Sequence, residues 1–132
     1  MKWDEILYFK PVEFDSPDRP GSGSQMSLDF VRKLDKLREA VKMPLFIQSG
    51  YRTADHNGAL KDSVDGSAHT TGHAADIAAL SSGTKFKIVE AALRLGFRRI
   101  GIGRTFVHID DDITKPQDVV WLYPSTSRRT NA

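Results

Sequence analysis

Residues 67–77 read Ser-Ala-His-Thr-Thr-Gly-His-Ala-Ala-Asp-Ile, which places His69, His73 and Asp76 within eight residues among small side chains. No single regular element lets His69 and Asp76 act together. On a continuous helix they share a face but stand about 10.5 Å apart along the axis. On a continuous strand they point to opposite faces, some ~20 Å or more apart. A metal ion with bonds of about 2.0–2.2 Å needs ligating atoms within roughly 3–4 Å of one another. Only a bend satisfies that, and Gly72 is the residue whose backbone tolerates one. His69 is therefore expected on a loop and Asp76 on a strand after the bend. The rival pair is His69 with His73, four apart on a helix. It lacks the glutamate that accompanies such a pair, and it centres on Thr70, Thr71 and Gly72, all poor helix formers.

The flanking chain supplies a frame for that bend. Residues 1–25 read as an irregular arm punctuated by Pro11, Pro17, Pro20, Gly21 and Gly23. Trp3, Ile6, Leu7, Phe9 and Phe14 anchor the arm on the domain. From an N-cap at Ser27, Leu28, Val31, Leu34, Leu37 and Val41 keep a helical period, with Arg32, Lys33, Asp35, Lys36 and Glu39 on the outer face and Pro44 closing it. A short buried strand over 45–49, one or two helical turns over 53–60 and a polar loop over 61–66 follow. Residues 74–78 fit a strand of small residues. Ser82 is read as the cap of a second helix whose Phe86, Ile88, Val89, Ala92 and Leu93 face the core, ended by Gly96.

Three more strands are expected over 97–102, 105–110 and 119–123, with a tight turn at Gly103 and Arg104. Gly101-Ile102-Gly103 is too short for a dinucleotide loop and reads as a turn. The predicted fold class is α+β: a small, mostly antiparallel sheet with two main helices packed on it. One domain is expected over 1–124, with a polar, frayed tail over 125–132.

A chain of 132 residues with 39% hydrophobic content can bury one core. A formal net charge of +2 does not by itself imply a nucleic-acid partner. Arg98, Arg99, Arg104, Arg128 and Arg129 are scattered without an aromatic stacking motif, which reads as solvated arginines and no nucleic-acid binding. There is no cysteine, so neither disulfides nor thiolate metal sites can form. No apolar run approaches the roughly 18 residues of a membrane span. The acidic start at Asp4 and Glu5 does not resemble a signal peptide, so synthesis in the cytoplasm without one is expected.

A third histidine, His108, lies in the run Thr105-Phe106-Val107-His108-Ile109-Asp110. On a strand His108 and Asp110 share one face, while Val107 and Ile109 share the other. Alone, His108 would read as a surface or satisfied core residue. Beside His69 and Asp76 it becomes a third candidate ligand.

Taken together, Ser49-Gly50-Tyr51-Arg52-Thr53, His56-Asn57, the spaced Ser67, His69, Gly72, Ala74 and Asp76-Ile77, and Phe106-Val107-His108-Ile109-Asp110 resemble the zinc D-Ala-D-Ala carboxypeptidase/endopeptidase family. Its members cut peptide stems of bacterial cell walls, phage endolysins are among them, and the fold is shared with the hedgehog signalling domain. The arm Tyr8-Phe9-Lys10-Pro11-Val12-Glu13-Phe14 is similar to the one that opens this branch. The resemblance runs roughly from Phe9 to Asp110 and implies Zn²⁺ held by His69, Asp76 and His108, with His73 at a variable position. It also implies that Arg52 lies near the metal, binding a substrate carboxylate or steadying the oxyanion, and that Ser67 donates to substrate or holds its loop. His56 and Asn57 are expected to brace the loop.

Many relatives carry an acid three residues before the last histidine ligand, as general base. Here that position is Thr105, which leaves Asp110 as the candidate base and second-shell orientation of His108 as its other role. The implied function is a zinc peptidase acting on peptidoglycan stem peptides, as a carboxypeptidase or an endolysin-type endopeptidase. A monomer reaching the wall after holin-type release is expected. The alternative is an inactive zinc-containing binding module of the same fold.

Overall fold

The computed structural model describes residues 2–60 and 66–124. The expected polar tail, and residues 61–65 of the expected loop, lie outside the described residues. The predicted α+β architecture is present. Helices α1 (Leu28–Val41), α2 (Ala54–Ala59) and α3 (Ser82–Arg94) accompany strands β1 (Ile47–Ser49), β2 (Ala74–Ala78), β3 (Arg99–Ile102), β4 (Phe106–Asp110) and β5 (Val119–Leu122). The strands form one sheet in the order β1-β2-β4-β3-β5. Every pairing is antiparallel except that of β3 with β5. Among the described residues, no helix is long and apolar enough to cross a membrane.

Alternation along the strands gives the sheet two unlike faces. Ala75, Ile77, Ile100, Val107 and Ile109 point into a core shared with Phe30, Val31, Leu34 and Leu37 of α1 and Ile88, Ala91 and Ala92 of α3. Each large apolar side chain buried there is worth about 1.5–3 kcal/mol. The opposite face carries Asp76, His108 and Asp110, which are buried rather than solvated.

α1 begins as expected, with the Ser27 hydroxyl accepting from the Phe30 amide at 3.3 Å. It ends at Lys42 in the left-handed conformation. Asp35, expected on the solvated face, instead accepts from the Leu7 and Tyr8 amides at 2.7 and 3.0 Å. This clasp holds the N-terminal arm, and Ile6, Phe9 and Phe14 are buried beneath it. Leu7, expected as an anchor, is exposed, because pairing its amide with Asp35 turns its side chain outward. The arm is not wholly irregular: single 3₁₀ turns occupy Trp3–Glu5, Pro11–Phe14 and Ser22–Gln25.

α3 corrects a second expectation. Its cap is Ser81, not Ser82, and Phe86 and Leu93 are 69% and 54% exposed. Two stripes are apolar in this helix: Phe86, Val89 and Leu93 on one, and Ile88, Ala91 and Ala92 on the other. The stripe with two alanines faces inward because small side chains let the helix axis approach its neighbours closely.

Candidate metal centre

Strand register assembles the site. Ser49 pairs with Asp76, Asp76 with His108, His108 with Gly101, and Gly101 with Trp121. These five residues therefore form one transverse row across the sheet. His69 joins the row from above. It lies in a 3₁₀ turn, Ala68–Thr71, that ends at Gly72 with φ +77°. The chain then reverses into β2, so the bend stands where the spacing of His69 and Asp76 demanded it. Gly72 is also pressed against the chain entering α1: a Cβ there would lie 2.6 Å from the Gln25 carbonyl oxygen and 2.8 Å from the Met26 Cα. The Ser27 amide donates to the Gly72 carbonyl at 3.0 Å, which ties the bend to the start of α1.

One ligand atom each from His69, Asp76 and His108 lies within 4.8 Å of the others. His69 Nε2 is 3.4 Å from Asp76 Oδ1, and His108 Nδ1 is 2.9 Å from the same oxygen. Tetrahedral zinc with bonds of about 2.0–2.2 Å sets ligand atoms a little over ~3 Å apart, so the spacing suits that ion. The reverse side of each group is also engaged. His69 Nδ1 lies 2.7 Å from the Gly50 carbonyl oxygen. A carbonyl only accepts, so Nδ1 carries the proton and Nε2 presents its lone pair to the site. His108 Nε2 lies 2.7 Å from Asp110 Oδ2, which by the same logic leaves Nδ1 to face inward. Arg52 Nη2 donates to Asp76 Oδ2 at 3.2 Å. Backing of this kind fixes tautomer and orientation in metal sites.

A sequence model of the family described as Peptidase M15 matches residues 9–110. The chain belongs to that family. Curated proteins give no match to it. M15 peptidases are zinc-dependent metallopeptidases with peptide substrates, and this member presents a His–Asp–His group able to hold a metal ion.

Charge in this M15 site is closely matched. Burial resists ionisation of Asp76, but the neighbouring His108 and His69 outweigh it and hold the carboxyl well below the usual range. Burial drives the His69 pKa down, with Asp76 only partly offsetting it. Burial also opposes charge on His108, yet Asp110 and Asp76 together raise its pKa. Each buried carboxylate has its own arginine: Arg52 for Asp76, and Arg99 for Asp110 at 2.7 Å. Arg99 departs from the expectation of solvated arginines. Its side chain is instead largely buried, because the register sets it beside Asp110 and it stacks under Trp121 with its guanidinium carbon 4.9 Å from the ring centre.

The remaining expected residues are placed as follows. Arg52 Nε donates to Ser49 Oγ at 3.1 Å and Nη1 to Asn57 Oδ1 at 3.3 Å. The Ser67 hydroxyl accepts from the His69 amide at 3.3 Å, at the head of the ligand-bearing turn. His56 gives its amide to Thr53 Oγ1 at 3.1 Å, inside the cap of α2. His73 stands outside the group of three, with Nδ1 2.7 Å from Asp111 Oδ1. Asp110 is 2% exposed. Its Oδ1 accepts from Arg99 and from the Asp112 amide, and its Oδ2 faces His108. Thr105 is exposed, its hydroxyl 3.4 Å from Gln48 Nε2.

Sequence reasoning passed over Trp121 and Tyr123. Their rings lie 5.4 and 6.1 Å from that of His108. Gly101, read as part of a turn, instead lies on β3, where a Cβ would strike Tyr123 and Trp121, while Gly103 opens the expected turn into β4, its amide donating to the Phe106 carbonyl at 2.9 Å, and a Cβ there would strike the Phe106 ring. Glycine alternating with aromatics on neighbouring strands was the available signal.

Proposed function

We propose that this M15 member is a zinc peptidase that hydrolyses a peptide bond in bacterial peptidoglycan stem peptides, with His69, Asp76 and His108 holding the ion. The observation that carries the reading is the convergence of the three ligand atoms, each with its far side committed to Gly50, Arg52 or Asp110. Two imidazole lone pairs and one carboxylate are a ligand set that leaves a coordination position for chemistry. Zinc bound there supplies Lewis-acid polarisation of the scissile carbonyl and an activated water.

The chain's own residues then divide the work of orientation. Gly50 and Asp110 hold the two imidazoles in the tautomers that present lone pairs inward. Arg52 neutralises Asp76 from behind and, through Asn57 and Ser49, links β1 to α2. Ser67 caps the turn that carries His69. In this reading Arg52 and Ser67 are positioning residues, and Asp110 orients His108 instead of serving as the general base, since both its oxygens already have partners.

The absence of an acid at Thr105 and the commitment of Asp110 also favour a second reading, a zinc-holding recognition module without turnover. The deciding experiment incubates zinc-loaded protein with purified muropeptides and identifies products by mass spectrometry. Cleavage that is lost in His69→Ala, Asp76→Ala and His108→Ala, together with one equivalent of zinc, is the expected outcome. Stoichiometric zinc with intact muropeptides across a broad pH range establishes the recognition module. Full zinc retention by any of the three variants removes that residue from the set.

A further inference from the structure

We infer that Tyr123 is a substrate-facing catalytic residue, whose neutral phenol donates a hydrogen bond to the scissile carbonyl oxygen as negative charge develops there. The inference deepens the peptidase reading above and rests on it.

Tyr123 belongs to the end of the sheet farthest from β1. Its amide continues the β5 ladder, donating to the Ile102 carbonyl at 3.0 Å. Two strands, β3 and β4, separate β5 from β2, which carries Asp76. The ring nevertheless leans inward across β3, with its centre 6.1 Å from that of His108 and 5.1 Å from that of Phe106. Gly101 makes this reach possible. A Cβ at Gly101 would lie 2.5 Å from Tyr123 Cε2 and 2.6 Å from Trp121 Nε1, so any side chain there would block the lane. Two aromatic side chains thus use the gap over one glycine, in the same transverse row as two of the three candidate ligands.

The ring lies on the sheet face that carries Asp76 and His108. The Trp121 indole N–H, which can only donate, acts on the phenol oxygen. Among the described residues no acceptor is paired with the phenol's own proton, so that donor is free to meet a ligand. A tyrosine phenol, with an ordinary pKa of about 10, is a neutral donor at neutral pH.

A fixed donor aimed at developing charge in a water-poor site is the arrangement that stabilises an oxyanion. Arg52, the other candidate for that task, already gives Nε, Nη1 and Nη2 to Ser49, Asn57 and Asp76. Proton balance is unaffected: the phenol keeps its proton throughout and donates a hydrogen bond only.

Tyr123→Phe keeps the ring over Gly101 and removes only the hydroxyl. Full-length wild type and variant, both zinc-loaded, are compared in zinc content, in kcat and KM on a muropeptide, and in affinity for a phosphinate analogue of the scissile bond and for the cleavage product. Zinc content and product affinity are expected to stay the same, with kcat lower by about 10²-fold and phosphinate affinity reduced by a similar factor. A variant kcat within about threefold of wild type, or a raised KM at unchanged kcat, overturns the assignment, because such a residue adds nothing specific to the transition state. Loss of zinc in Tyr123→Phe overturns it as well, by making the residue structural. If wild type neither cleaves the muropeptide nor binds the phosphinate, the peptidase reading fails first and this inference falls with it.

Discussion

Replacing Gly72 with alanine tests the bend that makes the site possible. Two costs add at this position. The backbone there is left-handed, with φ +77°, and an alanine held in that region costs roughly 1–2 kcal/mol. The new Cβ also has nowhere to go, since it would stand 2.6 Å from the Gln25 carbonyl oxygen, 2.8 Å from the Met26 Cα and 3.0 Å from the Ser27 amide nitrogen. These are backbone atoms that cannot rotate aside, and forced overpacking typically adds about 1–3 kcal/mol.

Gly96→Ala provides the matched control. Gly96 ends α3 at φ +92°, but a Cβ there meets nothing within 4 Å. That variant carries the backbone cost alone, about 1–2 kcal/mol. The pair should therefore differ by about 1–3 kcal/mol. For a domain of this size that corresponds to a Tm difference of roughly 3–15 °C, measurable by calorimetry of the metal-free proteins. Gly72→Ala should also weaken zinc affinity, because relief of the clash shifts His69 relative to Asp76, whereas Gly96→Ala should leave it intact. Equal destabilisation in the two variants, with zinc affinity unchanged in both, would refute the crowding argument and the role given to the bend.

Two further outcomes are expected. In Asp110→Asn the amide oxygen stays with its two donors, Arg99 and the Asp112 amide, which turns the NH₂ toward His108 Nε2, so His108 loses the acceptor that keeps its proton on the outer nitrogen. Zinc affinity measured by competition with a chromophoric chelator should fall about 10–100-fold; unchanged affinity with turnover lost by orders of magnitude would restore Asp110 as the base. Lys115→Met tests acid stability. Burial opposes ionisation of Asp112, but Lys115 and Thr114 lower its pKa to about 2. A carboxyl depressed in the folded state contributes stability above its unfolded value, near ~4, that is lost as pH falls through the folded value. Without Lys115 the decline in Tm between about pH 4 and 2 should be shallower than in wild type. Parallel pH profiles would contradict the assignment.

Sequence alone carried the argument furthest where a local rule leaves few options. The spacing of His69 and Asp76 excludes any straight element between them, so Gly72 had to be a bend. The period of Val31, Leu34 and Leu37 and the alternation from Phe106 to Asp110 fixed which side chains share a face. The motif order from Ser49 to Asp110 pointed to the family that the Peptidase M15 match later showed. Strand identity and the α+β class followed from the same short-range patterns.

Tertiary structure decided whatever depends on which strands become neighbours. The parallel addition of β5 to β3 brings Trp121 and Tyr123 beside His108, a contact between residues that no local pattern links. The register of β3 on β4 makes Arg99, expected as a solvated charge, the partner of Asp110. In α3 the sequence offered two apolar stripes, and close packing chose the one with alanines. Periodicity reports which side chains share a face, because it is set by backbone geometry within one element. It is silent on what that face meets, because that depends on packing between segments distant in the chain.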